Sequence, residues 1–252
     1  MPITPPDDVV ATVGPLESWE AIEPTNNRGS HVWFAGNRVV SQHPSGAGTA
    51  LADRYRWLAE RAPTATVELV SGAADSDWLV TTRLAGHAAH RVDAHGDMQG
   101  VPATLARALR QLHDQVVDVD DFPFAAGWDD LAADVTASIA DLDPSTLPDP
   151  YARYDAERLA EIWREGRPGT EDIVLCHGDP SLPNLLIDPG VVGWVDVGRL
   201  RLADRHLDLA VAQYSIHRNF GPDAVFAFFE AYDLDPDLVR IDHYLLANFL
   251  LP

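Results

Sequence analysis

Hydrophobic positions recur at two different periods along the chain, and the change falls near residue 100. Before it, short apolar runs are separated by turn residues. Val9–Val13, His31–Ala35 and Asn37–Gln42 read as strands, and so do Thr66–Val70 and Trp78–Thr82, which Ser71-Gly72-Ala73-Ala74-Asp75 joins. Thr25–Ser30 is rich in turn residues and suits a tight loop. One stretch breaks the pattern. Thr49–Arg61 carries Leu51, Tyr55 and Leu58 at 4- and 3-residue steps, which predicts a helix.

From Val101 the period lengthens. Leu105, Leu109, Leu112 and Val116 form an amphipathic helical stripe. Leu131–Leu142 and Asp155–Glu165 are further helices, separated by a proline-rich loop that runs to Pro150. Ile173–Cys176, Leu185–Ile187 and Val191–Val195 read as short strands, and helices over about 204–217, 222–232 and 237–251 close the chain. The expectation is an α+β fold in two lobes. A small antiparallel β N-lobe covers 1–84, with a hinge near Thr82–Gly86, and a mainly helical C-lobe covers 85–252.

Composition narrows the function. The 252 residues hold 39 acids against 18 bases, a net charge of −21, which argues against a nucleic-acid partner or an anionic membrane surface. The charge is uneven: residues 1–100 carry 12 acids and 7 Arg, residues 101–252 carry 27 acids and 11 Arg. An acidic C-lobe suits a cationic ligand, although a solvated acidic surface has the same composition. Every base is Arg, so a Walker A loop and a lysine Schiff base are excluded. The single cysteine, Cys176, excludes an intrachain disulfide and a cysteine-rich zinc site. No signal segment or membrane-length apolar run is present, and a reducing cytoplasm is the expected compartment.

The candidate chemistry lies in Cys176-His177-Gly178-Asp179-Pro180-Ser181-Leu182-Pro183-Asn184 and in Gly193-Trp194-Val195-Asp196-Val197-Gly198-Arg199. An Asp, an Asn five residues on, and a strand-borne Asp twelve further on suit metal-assisted phosphoryl transfer. Asp179 would accept the proton of an attacking hydroxyl. Asn184 and Asp196 would offer hard oxygen ligands to Mg²⁺, and His177 would brace the loop. Taken singly, each of these residues has a plain structural use in a turn or cap. His95-Gly96-Asp97 repeats the tripeptide, but Pro102 stands five residues after Asp97, so it reads as a loop. His87, His90 and His95, with Asp93 and Asp97 nearby, read as a polar loop beside the hinge rather than a zinc site.

These motifs, with LADRHLDLAVA at 202–212, DWLV at 77–80, LAG at 84–86 and Leu105–His113, resemble the aminoglycoside phosphotransferases, most closely the 3′-phosphotransferase group. The resemblance implies a protein-kinase-like fold, ATP and Mg²⁺ as cofactors, and an aminoglycoside hydroxyl as acceptor. It makes Asp179 the base, Asn184 and Asp196 the metal ligands, and Arg199 a residue beside base and substrate. Thr82, Arg83, Leu84 and Ser30 are the nucleotide-binding candidates, the first three through their backbone. Asp204 and Asp208 would brace the catalytic loop.

The sequence departs from this family at two places. The family's third-strand Lys falls near Ser41 or Gln42, and its partner Glu near Leu51, so both are absent together. On the substrate side, Tyr214, Ser215, Ala247 and Asn248 stand where acids are expected. The expectation is an antibiotic kinase. A silent kinase-like binding protein and a kinase for another hydroxylated metabolite stand beside it.

Overall fold

The structure is a computed structural model and describes residues 4–22, 31–73, 75–91, 100–140, 142–188 and 191–251. Ser30, Arg28, Asp93, His95, Asp97 and Asp141 lie outside them. The chain forms two compact units, residues 1–87 with 186–198, and residues 88–185 with 199–252. Residues 85–87 and 186–198, which the sequence boundary set in the C-lobe, group with the first unit.

In the first unit, α1 (Asp7–Val13) precedes β1 (Glu20–Ile22), β2 (His31–Ala35), β3 (Arg38–Pro44), α2 (Ala47–Ala59), β4 (Val67–Ala73) and β5 (Ser76–Thr82). The strands make one antiparallel sheet in the order β1-β2-β3-β5-β4. The Val9–Val13 run is thus helical, not a strand. Pro6 sits at its N-cap and Asp7 and Asp8 fill its first turn, where they favour the positive helix end. Of this helix only Val9 is fully buried. It joins Trp19, Trp33, Val40, Trp78 and Val80 in the sheet's core, where the Trp33 and Trp78 rings stack 5.7 Å apart. Along α2, Ala52, Tyr55 and Leu58 are buried, as the apolar spacing requires.

The chain continues through β6 (His87–Ala88), α3 (Gly100–His113), α4 (Gly127–Ile139), α5 (Ala156–Glu165), β7 (Ile173–Cys176), β8 (Leu185–Asp188), β9 (Val191–Trp194), β10 (Arg201–Asp204), α6 (His206–Phe220), α7 (Pro222–Tyr232) and α8 (Leu238–Leu250). β7 and β10 pair antiparallel, with Cys176 opposite Arg201. β6, β8 and β9 form a second short sheet in that order. In α3 the expected stripe is buried at Leu105, Leu109 and Leu112. Val116, counted on that stripe, lies past the end of the helix and is fully exposed. Helix α4 starts four residues earlier than its leucine pattern suggested, since Trp128 is already a core residue and Asp129 and Asp130 suit a first turn. β10 went unseen in the sequence, and α6 begins only at His206, whose N–H donates to Asp204. Among the described residues no helix is long and apolar enough to cross a membrane.

Candidate active site

The loop leaving β7 is held from below by one carboxylate. Asp208, on the first turn of α6, has no exposed side chain and accepts the backbone N–H of His177 at 2.7 Å and of Gly178 at 2.8 Å. His113 Nε2 shares the same carboxylate at 3.1 Å, and His113 Nδ1 meets the Tyr232 hydroxyl at 2.6 Å. The Tyr232 hydroxyl in turn accepts from Arg205. Two buried amides that have no sheet partner are thus satisfied by a single side chain, the requirement that any buried backbone must meet. Gly178 adopts φ +86, and a Cβ there would run into the carbonyl oxygen of Arg199. Only glycine fits that crossing.

This bracing presents Asp179 half-buried at the tip of the loop, its own N–H donating to His177 Nδ1 at 3.3 Å. The buried imidazole at 177 therefore braces the turn, as expected. Five residues on, Asn184 closes the loop by donating from Nδ2 to the Asp179 carbonyl at 2.9 Å. Its amide nitrogen is the donor there, so its oxygen is the end that a hard cation can take. Ser215 on α6 accepts the Leu182 N–H at 3.0 Å and fixes the far side of the turn. The Arg199 guanidinium donates to Asn248 Oδ1 at 2.9 Å and to the Leu251 carbonyl at 3.2 Å, both at the end of α8.

Asp196 belongs to the first unit. It follows β9 with φ +56, is exposed, and donates its N–H to the Tyr55 hydroxyl of α2 at 3.0 Å. Burial pushes the Tyr55 phenol far above its usual range, so the hydroxyl stays neutral. The strand before it is fastened to the segment after α2. Trp194 donates to the Pro63 carbonyl at 2.9 Å, and the Thr64 hydroxyl donates to the Trp194 carbonyl at 2.8 Å. These bonds are why residues 186–198 group with the sheet. The oxygen of Asn184 and the carboxylate of Asp196 are hard donors, the type that Mg²⁺ selects over softer metals.

At the end of β5, the amide of Thr82 donates to the Thr66 carbonyl and that of Arg83 to the Asn37 carbonyl, at the margin of the sheet. The Arg83 guanidinium lies over the Phe34 ring, 3.7 Å from its centre. Leu84 follows directly. Ser30 is outside the described residues.

Three contributors escaped the sequence. Tyr55 looked like one apolar position of a helical stripe, and nothing near it signals a bond to residue 196. His113 and Tyr232 looked like helix ends. Among the described residues, His113, Cys176 and Asp208 lie within metal-ligand distance of one another. The carboxylate is already the acceptor of two amides, and burial, with Asp208 and Asp204 adding, holds the Cys176 thiol well above its usual range. A protonated thiol is a poor ligand, so the cluster reads as structural.

A model of the phosphotransferase enzyme family matches residues 25–244. The aminoglycoside 3′-phosphotransferase of Streptomyces fradiae is 33% identical over 210 residues, 79% of this chain and 76% of that protein. The streptomycin 3″-kinase of Streptomyces griseus is 35% identical over 217 residues, 77% and 76% of the two chains. The crystal structure of an aminoglycoside-3′-phosphotransferase of type VIII superposes with a TM-score of 0.80 at 28% identity, over 97% of this chain and 98% of that one. The α+β fold that the resemblance implied is therefore shared along nearly the whole length. A match of that extent means that the chain belongs to the phosphotransferase enzyme family.

Proposed function

We propose that the protein is an ATP-dependent kinase that transfers the γ-phosphoryl group to a hydroxyl of an aminoglycoside. The observation that carries this reading is the loop Cys176–Asn184, fixed by Asp208 so that Asp179 stands at its tip with the Asn184 side chain bonded to its carbonyl. Asp179 orients the acceptor hydroxyl and takes its proton as the new O–P bond forms and ADP leaves. Asn184 and Asp196 would hold Mg²⁺, which when bound supplies positive charge against the phosphates. Of the hinge amides, those of Thr82 and Arg83 are already donated, so the amide of Leu84, with the backbone carbonyls of this segment, would read the adenine ring. Arg199, engaged by Asn248 and the Leu251 carbonyl, acts as a positioning residue under Gly178 rather than as a phosphate ligand.

The acceptor class rests on the relatives' names and on charge. With 27 acids over residues 101–252, the C-terminal part suits a polycation that a cytoplasmic enzyme would meet. The test is coupled ADP release with MgATP and either kanamycin or neomycin. Asp179→Ala is expected to lower turnover by about 10²–10⁴-fold while leaving nucleotide binding in place. Wild-type protein that binds ligand yet releases no ADP with any hydroxylated antibiotic would favour the silent binding protein, the reading to which the absent lysine points.

A further inference from the structure

A kinase must meet its nucleotide's polyphosphate with donors, and this chain has no lysine to do so. At the positions where the resemblance places one, Ser41 is buried and Gln42 donates to Ser76 at 3.3 Å. The described arginines of the first unit are engaged elsewhere. Arg38 pairs with Glu68, Arg56 with Asp53 and Arg61 with Glu60, Arg54 bonds the Ala50 carbonyl, and Arg83 covers Phe34.

His43 is bonded too, but its partner stands at the lysine position itself. It lies two residues beyond Ser41 and so projects from the same face of β3. Its Nε2 and the Ser41 hydroxyl share a 2.8 Å hydrogen bond, which draws the ring back toward position 41. Across the ladder its partner is Asp77, which is fixed in turn by the Thr49 N–H at 2.9 Å and the Thr49 hydroxyl at 3.0 Å. A Cβ at Gly48 would lie 3.5 Å from the His43 ring and 2.6 Å from the Asp77 Cβ, so α2 packs tightly on this pair. Burial lowers the pKa of the ring, and the carboxylates of Asp196 and then Asp77 act in the opposite direction. The imidazole is therefore within electrostatic reach of the same Asp196 that the kinase reading gives to the metal.

We propose that His43, steadied by Ser41, takes the place of the missing lysine as the side chain that donates to the polyphosphate of the bound nucleotide. The assignment rests on the kinase reading, and binding measurements separate the two. Calorimetric titration with MgADP, and competition with adenosine, would be run on wild type, H43A, H43Q and H43K. H43A is expected to weaken MgADP by about tenfold or more, the loss of one charge-assisted hydrogen bond, while adenosine changes by less than about twofold. H43K should regain most of the MgADP affinity. H43Q, which can still pair with Ser41, covers the case in which H43A does not fold. If H43A or H43Q melts like wild type and binds MgADP equally well, the assignment fails and the kinase reading stands. Equal losses for MgADP and adenosine would also overturn it, because the ring would then only shape the sheet. Wild-type protein that binds neither ligand would overturn both readings.

Discussion

At the end of β7, two backbone amides and an imidazole converge on a carboxylate that water does not reach, whereas at the end of β3 a serine, a histidine and an aspartate pair only with near neighbours. The first arrangement spans three elements. Asp208 comes from α6, His113 from α3, and the loop from β7. The second joins only β3, β5 and the start of α2. A buried hub of the first kind is costly to break, since each group that loses its partner remains away from solvent. Local pairs of the second kind tie together fewer elements, so a change there disturbs less of the fold. The loop that carries Asp179 is thus tied into three elements, while the β3 group is tied only to its immediate surroundings.

Three substitutions would break or sharpen this contrast. Asp208→Ala leaves the His177 and Gly178 amides and the His113 imidazole without their common acceptor, and should cost about 3–5 kcal/mol in urea unfolding. A loss under about 1 kcal/mol would show that the loop is not hung on this carboxylate.

Asp77→Ala removes the acceptor of the Thr49 N–H near the start of α2 and should cost about 1–2 kcal/mol at neutral pH. The Thr49 amide, foremost among its contacts, holds the Asp77 carboxyl below the usual range. A carboxyl whose pKa is lower folded than unfolded stabilises above its unfolded value, about 4, and loses that contribution as pH falls through the folded value. The gap between wild type and Asp77→Ala should therefore close on acidification. A gap that persists unchanged well below about pH 3, the lower edge of the carboxylate range, would assign the effect to packing instead.

Tyr55→Phe should be the mildest, about 1 kcal/mol, because the Thr64 and Pro63 bonds still fasten the strand before Asp196. Its signature is a raised Mg²⁺ requirement in the ADP-release assay. A stability loss larger than that of Asp77→Ala would reverse the order.

Legibility follows the same divide. The spacing from Asp179 to Asn184 and Asp196 could be read because one loop and one hairpin impose it, and Gly178 and Asp208 lie within the same continuous stretch. The strands were legible as short apolar runs between turn residues, and the helical stripes from steps of three and four. Val9–Val13 misled because a run of β-branched residues outweighed Pro6, Asp7 and Asp8, which were the better indicators of a helix start. Val116 misled because periodicity does not announce where a helix stops. Tyr55, Asp77 and His43 were opaque for another reason. Their partners lie on other strands or far along the chain, and no local pattern records such a pairing.

Cys176 closes the strand that leads into the Asp179 loop; it is fully buried, and it is the chain's one cysteine. A thiol that is shut away and kept protonated reacts with alkylating or disulfide reagents only after its surroundings open. The folded protein thus carries an intrinsic reporter three residues before Asp179, and the speed of that modification measures how often the β7–β10 ribbon comes apart, with no engineered label required.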